Sequence, residues 1–536
     1  MTPVSTVLAT RIDSTGASFQ ENAAAFDQLL AALAEQQAQA RGGGGPKAVE
    51  RHHSRGRLLA HERIDLLLDE DSPFLEFSTV AAYGTEFHVG ASLVTGIGVV
   101  AGTECILIAH DPTVRAGASN PYTWKKVSRT MTIARENRLP VINLVESSGG
   151  DLPSQAELFL PAGRLFHDLT QLSALGIPTI ALVFGNSTAG GAYVPGMCDY
   201  AVLVKQQAKV FLGGPPLVKM ATGEDADDES LGGAEMHARV SGLADYMAED
   251  EVDCIRIGRQ IVADLGFHKL GPGPERPAEQ PLHDPEELLG IVSVNLKVPF
   301  DPREVLTRIV DGSRFSEYKP LYGPALVTGW CHIHGYRVGV LANAHRVLQN
   351  EESQKATEFI LLANQSDTPL IFLQNTTGYI VGTAYEQRGI IKDGAKMINA
   401  VANSAVPHIT ILMGASYGAG NYGMSGRAYD PRFLFAWPNA KTAVMGPEQL
   451  AGVMSIVARQ AAMAAGREFD EAEDAKRRQA TEEQIESESL ALYLSARLHD
   501  DGIIDPRDTR DVLGVCLSAI HSNVVEGRRG FGVFRM

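Results

Sequence analysis

Residues 176–193 read GIPTIALVFGNSTAGGAY and residues 405–422 read AVPHITILMGASYGAGNY. Each is an apolar run with β-branched residues that ends in a glycine-rich turn, the pattern of a buried strand running into a helix. Further out, LPVINLVESSGG (139–150) answers to TPLIFLQNTTGY (368–379). The offset is 229 residues in both pairs (368 − 139 and 405 − 176), so Pro140 and Pro178 fall on Pro369 and Pro407. TGIGVVAG (95–102) resembles TGWCHIHG (328–335), and SGLAD (241–245) resembles DGIID (501–505), more loosely. Equal spacing of whole strand–turn units predicts one domain copied in tandem. Short strands alternating with helical stretches make each copy α/β.

A chain of 536 residues is too long for one compact core and predicts two large domains. Residues 20–40 predict an amphipathic helix that GGGGP (42–46) breaks, and GPGPERPAEQPLHDPEE (271–287) reads as the linker. The expected division is an extension over 1–46, one copy over 47–275 and the other over 276–536. A net charge of −17 argues against a nucleic-acid partner while leaving room for a local basic pocket. The five cysteines include no CxxC pair, so neither a zinc ribbon nor a disulfide framework is expected, and no metal. The N-terminus lacks a charged region followed by an apolar one, and no run approaches membrane-spanning length; the expected compartment is the cytoplasm, with no membrane partner.

At a strand-to-helix turn the first N–H groups have no partner within the helix and sit at its positive end. They suit an oxyanion, and each such donor contributes roughly 2.7–4 kcal/mol to a transition state. The offset sets Gly190 against Ala419 and Gly191 against Gly420, which names one donor pair per copy. Two pairs predict a reaction with two developing oxyanions. Gly414-Ala415-Ser416-Tyr417-Gly418 also fits the G-x-S-x-G elbow of serine hydrolases. The first copy lacks the closing glycine, and hydrolysis would leave the second turn unexplained.

STAGGAYVPGMCD (187–199), FLGGPPLVKMATGE (211–224), LGGAEMHARVSG (231–242), FLQNTTGYIVG (372–382) and GASYGAGNYGMSGRAYDPRFLFAWPNA (414–440) carry a resemblance from about His52 to the C-terminus. They resemble the carboxyltransferase β subunit of biotin-dependent acyl-CoA carboxylases, in particular the methylcrotonyl-CoA and geranyl-CoA branch. The resemblance implies two crotonase-like domains, a hexameric β core in an α6β6 complex, and an active site between the first domain of one subunit and the second of another. It implies that Gly190 and Gly191 hold the thioester oxygen of an acyl-CoA, and Ala419 and Gly420 the ureido oxygen of biotin. The released biotin nitrogen then takes the substrate proton, with no side-chain base. Tyr193, Gln349, Tyr417 and Tyr422 fall beside these segments as acyl or biotin pocket candidates. Arg115, Lys125 and Lys126, in HDPTVRAGASNPYTWKK (110–126), lie where the family meets the CoA nucleotide.

The chain departs from the family where ESGGA(D/N)L becomes Glu146-Ser147-Ser148-Gly149-Gly150-Asp151, where FLAGPP becomes FLGGPP, and where VLFSEES becomes VLQNEES with a polar Gln349. These departures bear on which acyl-CoA is used. Glu224 and His237 carry no assigned role, and His52 and His53 read as surface residues. Thr481 and Gln484 have capping-box spacing within a charged run (472–489) that reads as an exposed helix. No A-M-K-M biotinylation motif and no P-loop are present, so biotin and the ATP- and bicarbonate-dependent step are expected on a partner α subunit. A biotin-dependent acyl-CoA decarboxylase subunit shares the same turns and is the alternative; an inactive crotonase-like scaffold would not need both.

Overall fold

In the computed structural model, which describes residues 6–536, the duplication is carried by two sheets. The first runs, in spatial order, Phe74–Glu76, Leu93–Val100, Thr103–His110, Val141–Ser147, Thr179–Thr188, Tyr200–Val204 and Tyr246–Ala248. The second runs Thr6–Val7, Arg314–Glu317, Leu326–Ile333, Tyr336–Asn343, Leu370–Thr376, His408–Tyr417 and Phe433–Ala436. In both, an antiparallel hairpin leads into parallel strands. The central parallel strands Val141–Ser147 and Leu370–Thr376 are buried at every residue, polar ones included: Asn143, Glu146 and Ser147 in the first, Gln374, Asn375 and Thr376 in the second. The 229-residue offset holds to the residue for these two and for Thr179–Thr188 against His408–Tyr417. Even the register irregularity between Val145 and Ser147 recurs between Gln374 and Thr376.

The loosely matched TGIGVVAG and TGWCHIHG segments are the same hairpin. Ala101 and Gly102 turn with φ of +47° and +76°, and His334 and Gly335 with +47° and +80°. Two left-handed residues match the twist of the flanking strands. Asp69 accepts hydrogen bonds from the N–H groups of Ala101 and Gly102 (2.8 and 2.7 Å), and Asp311 does the same for His334 and Gly335 (3.0 and 2.8 Å). A second shared device is a buried lysine on the helix that follows. Lys126 Nζ lies 2.6 Å from Leu93 O, and Lys355 Nζ lies 2.8 Å from Leu326 O. Burial pulls both ammonium groups down to about 8.

Segments outside the repeat pack in places the sequence did not announce. Thr6–Val7 extends the second sheet by pairing with Arg314–Glu317. The predicted helix forms over Ala17–Arg41 and lies on Leu288–Ile291, where Asn22 Nδ2 donates to Gly290 O at 3.1 Å. The N-terminal segment is thus held by the second copy. The Pro-rich stretch is strapped down by Gly271 N to His521 O (3.0 Å), Glu275 N to Gly335 O (2.9 Å) and Leu282 N to Ser313 Oγ (2.9 Å). One apolar core runs through both sheets. Across the same boundary Arg129 Nε donates to the fully buried Asp501 at 2.7 Å. The charged run forms the helix Glu471–Ser489, but its cap is Asp470, whose carboxylate accepts from Ala472 N and Glu473 N; Thr481 is mid-helix. A carboxylate at the positive end outcompetes an internal hydroxyl.

Candidate active site

Both glycine-rich turns have the same backbone. After the Thr179–Thr188 strand, Ala189 takes φ +55° and opens a tight turn over Ala189–Ala192 that leads into Tyr193–Met197. After His408–Tyr417, Gly418 takes φ +52° and opens the helix Gly418–Gly423. Ala189 adopts without glycine a conformation that costs about 1–2 kcal/mol for a residue with a Cβ. The turn is kept despite that cost. Ser187 Oγ braces it by donating to Gly191 O at 2.9 Å. In the second copy Ser416 Oγ instead donates to Gln374 Oε1 (2.8 Å) and accepts from Asn421 Nδ2 (2.6 Å). Ser416 is fully buried and no histidine is among its partners, so the hydrolase elbow is not built.

The space at the two turns differs. A Cβ on Gly191 would come no nearer than 3.9 Å to Ser187 Oγ, and one on Gly190 no nearer than 3.6 Å to Phe166 Cζ. A Cβ on Gly420 would stand 2.8 Å from both Gly378 Cα and Thr376 Oγ1. Gly191 therefore faces open space, whereas Gly420 is a close backbone approach.

That open space is a cavity of about 60 Å³ beside Gly190 and Gly191. Strand alternation builds its wall: Ile108 and His110 from one strand, Asn143, Val145 and Ser147 from the next. Trp124, Val127 and Leu165 close it from the covering helices. Burial lowers the His110 imidazole to about 4, so it is neutral at ordinary pH. At the offset positions of the second copy stand Phe372, Gln374 and Thr376. Gln374 is fully buried, and its Nε2 donates to Asn421 O at 3.2 Å. Gln374 Oε1 also accepts from Ser416 Oγ, so at this matching place the side chain is bonded within the protein.

Beneath the first turn, Glu146 is buried and accepts from Arg63 Nη2 (2.7 Å) and Arg57 Nη1 (2.5 Å); Arg63 also meets Glu251 through Nε at 2.8 Å. Burial alone would lower the Arg63 guanidinium, but Glu251 and Glu146 outweigh it and raise it. Gly185 lets this carboxylate approach, since a Cβ there would lie 2.6 Å from Glu146 Oε1. Gly414 does the same for Asn375, whose Oδ1 accepts from Ala415 N at 3.0 Å. Sequence reasoning passed over this support, as it did His110, Trp124 and Asn143. The signal available was the offset itself, which sets Glu146 against Asn375.

The remaining candidates are dispersed. Tyr193 and Tyr422 are each 42% exposed at their turns, paired with Phe166 (ring centroids 5.2 Å apart) and Tyr429 (5.7 Å). Tyr417 is buried, which raises its hydroxyl to about 12. Gln349 caps the helix Asn350–Gln365, its N–H donating to Glu352 Oε2 at 3.2 Å. Its position there follows from helix initiation. Arg115 is exposed and pairs with Asp151 at 3.0 Å, and Lys125 lies over the Tyr122 ring at 5.1 Å. Lys126 departs from the expectation for a phosphate ligand. It is 1% exposed and holds backbone carbonyls, because the fold needs a donor where the hairpin strand begins. His237 is also internal, with Nε2 2.7 Å from Val210 O and Nδ1 2.7 Å from Ser241 Oγ. His52 is buried against Leu58 O (3.1 Å) rather than on the surface, whereas His53 meets Glu62 there. Glu224 is exposed. Among the described residues no group of three or more His, Cys, Asp or Glu could hold a metal ion.

Residues 51–533 match the carboxyl transferase domain family. The chain is 64% identical, over 99% of its length and 100% of the relative's, to a probable biotin-dependent acyl-coenzyme A carboxylase beta2 subunit of Mycobacterium tuberculosis. It is 47% identical, over 95% of its length and 97% of the relative's, to the biotin-dependent 3-methylcrotonyl-coenzyme A carboxylase beta1 subunit of the same organism. Among solved structures, the beta subunit of P. aeruginosa geranyl-CoA carboxylase superposes with a TM-score of 0.90 at 42% identity, covering 98% of this chain and 99% of that one.

Proposed function

The chain belongs to the carboxyltransferase β subunits of biotin-dependent acyl-CoA carboxylases, enzymes that transfer a carboxyl group to an acyl-CoA, and from that premise we propose how its two turns divide the work. Gly190 and Gly191 hold the thioester oxygen, and Ala419 and Gly420 hold the ureido oxygen of biotin. The observation that carries this division is the cavity. Only an acyl chain needs a hollow beside its oxyanion donors. The first turn has one beside it, while at the matching place in the second Gln374 is hydrogen-bonded to Asn421 and Ser416. The second turn suits a flat ring: Ala419 is exposed at the head of its helix, with Tyr422 beside it and the Gly420 backbone close against Gly378.

Carboxybiotin, when bound, supplies the carboxyl group and an oxygen on which negative charge collects. The protein's part is electrostatic. First-turn N–H groups at the positive end of each short helix meet charge where it develops, already oriented. The Arg63–Glu146–Glu251 cluster and the Asn375 bridge hold the two strands that aim these turns. In this reading Arg115 and Lys125 are the residues that meet the CoA phosphates, a role that their exposure supports.

A second copy completes the site in this reading. Leu217 and Met220 on the helix Pro215–Thr222, Val444 beside Gly418, and Ile456 and Met463 on the helix Pro447–Ala464 are large apolar side chains left half or more exposed. Such faces mark interfaces. We read the assembly as a β hexamer within an α6β6 complex, the α subunit carrying biotin and using ATP and bicarbonate. The five cysteines are free, which suits the cytoplasm. No helix among the described residues is long and apolar enough to cross a membrane. The test is a pair of assays on the purified chain. Free biotin and a carboxylated acyl-CoA should exchange the carboxyl group without ATP, and bicarbonate with ATP should give no product until the α subunit is added. ATP-dependent fixation by the chain alone would overturn the division of labour.

A further inference from the structure

One strong cation beside the second turn is left free. Arg346 ends the loop between the strands Tyr336–Asn343 and Val347–Leu348. Its carbonyl accepts from Thr377 N (2.6 Å), Thr376 Oγ1 (3.0 Å) and Thr377 Oγ1 (3.2 Å). Thr376 Oγ1 is also an atom that a Cβ on Gly420 would meet at 2.8 Å, so one hydrogen bond links the Arg346 backbone to the wall that Gly420 packs on. Its half-buried side chain has no hydrogen-bond or ion-pair partner among the described residues, while cations on neighbouring segments do: Lys441 meets Glu486, Arg388 meets Glu351, and Arg427 Nη2 lies 2.7 Å from the buried Asp501. Burial and the Glu486 carboxylate raise the Tyr417 hydroxyl, and the Arg346 guanidinium acts against them. The free charge is therefore within electrostatic reach of the residue that enters the turn.

The duplicated frame does not ask for this side chain. Ser147 Oγ donates to Gly117 O at 2.7 Å as Thr376 Oγ1 does to Arg346 O, and 346 − 117 is again 229. The adjoining pairings, Ser119 with Gly150 and Leu348 with Tyr379, keep the same offset. Gly117 has φ +71°, and a Cβ there would run into Glu146 O. The first copy thus excludes a side chain at the place where the second carries an arginine. A thioester offers its turn one neutral carbonyl. Carboxybiotin brings two groups: the ureido oxygen, and a carboxylate on a nitrogen bonded to the same carbon. Backbone N–H groups on the ureido oxygen leave that carboxylate beside the turn with its full charge. A guanidinium matches a carboxylate with two parallel N–H donors. Resting on the assignment of the second turn to the ureido oxygen, we propose that Arg346 binds the carboxylate of N1-carboxybiotin and so distinguishes carboxylated from uncarboxylated biotin.

The experiment is a ligand-observed NMR titration of the full-length chain, in its native assembly, with biotin methyl ester and N1-carboxybiotin methyl ester. Mildly alkaline buffer keeps the N-carboxylated urea intact. The two probes differ only in the ring carboxylate, since the ester removes the side-chain charge. The carboxylated probe should bind about tenfold or more tighter, and the ratio should fall as salt rises. Arg346→Met keeps the length of the side chain without its charge. It should bring the ratio toward one and leave the affinity for biotin methyl ester as in the wild type. Arg346→Lys should keep part of the ratio, because the charge remains and the planar fork is lost. Equal wild-type affinities would overturn the proposal without any variant having to fold. So would a preference that survives Arg346→Met, or an equal loss of both probes in a correctly assembled Arg346→Met protein, which would mark a structural role. If biotin methyl ester binds, is weakened by Gly420→Ala and gains nothing from the carboxylate, this proposal fails while the assignment of the second turn stands. If Gly191→Val weakens it instead, or if neither probe binds, both fail.

Discussion

Replacing Gly191 by valine separates chemistry from folding more cleanly than any other change at either turn. The new Cβ has 3.9 Å to its nearest neighbour, Ser187 Oγ, and Gly191 is not in the left-handed region, so neither overlap nor backbone strain follows. The side chain instead stands where the thioester oxygen would approach. Loss of one oxyanion donor costs about 2.7–4 kcal/mol, or roughly 100- to 1,000-fold in kcat. Gly420→Ala is the contrast. Its Cβ would lie 2.8 Å from Gly378 Cα and Thr376 Oγ1, so the backbone must move, and overpacking of this kind costs about 1–3 kcal/mol of stability. With the α subunit, bicarbonate and ATP, both variants should lose carboxylation. Thermal unfolding should shift down only in Gly420→Ala. Acyl-CoA affinity, read by calorimetry, should fall mainly in Gly191→Val. Activity within a few-fold of wild type in a correctly assembled Gly191→Val protein would refute the donor assignment. Acyl-CoA binding lost in Gly420→Ala but kept in Gly191→Val would reverse the two turns.

Ser416→Ala should keep carboxyl transfer within about tenfold while lowering stability by about 1–3 kcal/mol, since Gln374 Oε1 and Asn421 Nδ2 lose a buried partner; a total loss of activity in a folded protein would point to a nucleophile. Arg115→Ala and Lys125→Ala should each weaken acyl-CoA binding more at low salt than at high salt. Lys126→Met should lower the unfolding temperature with little change in that salt dependence, because Lys126 holds carbonyls inside the chain; a CoA affinity falling as steeply as for Lys125→Ala would contradict this. Burial raises the Asp500 carboxyl to about 7, against 3.8 unfolded. The folded state therefore keeps a proton that the unfolded chain releases, and stability falls as pH rises from about 4 to about 7. Asp500→Asn should flatten the unfolding temperature between pH 5 and pH 8, and an unchanged slope would show that Asp500 does not titrate in that window.

What the sequence disclosed was whatever repeats at fixed spacing in fully buried strands. Val141–Ser147 and Thr179–Thr188 carry apolar stretches because parallel strands are covered on both faces, and each runs into polar residues beside its turn, so their copies could be aligned by eye. The hairpins matched only loosely because their offset is 233 rather than 229 (326 − 93), the second copy having a shorter path from hairpin to helix. Lys126 was misjudged for a general reason. Composition treats lysine as surface, and only the tertiary fold shows which lysine replaces water at strand carbonyls. The pairing of Thr6–Val7 could not be foreseen either, since two residues show no period. His110 and Trp124 lie in a quoted segment, yet nothing local says that the two will line one hollow.

Comparison of the two copies argues that duplication preserved a frame and let its contents diverge. The hairpin turn with its aspartate, the buried lysine, the strand irregularity and the left-handed entry to each helix recur. These devices fix the hairpin, the sheet and the backbone entry to each helix. The residues that differ include three that line the first copy's cavity: Val145 against Gln374, His110 against Asn343, Trp124 against Ser353. In the second copy Gln374 turns the matching space into hydrogen bonds within the protein. Backbone donors treat any oxyanion alike, so two identical turns cannot tell a thioester from a ureido group. In the proposed division, discrimination comes from the surroundings of each turn: a hollow beside the first, Gln374 bonded to Ser416 and Asn421 beside the second. A Val145→Gln variant makes the inference testable, since the first copy would then carry the second copy's filler. It should fold, lose acyl-CoA affinity, and leave free biotin binding at the second turn as before. Unchanged acyl-CoA affinity in that variant would mean that the cavity does not receive the acyl chain.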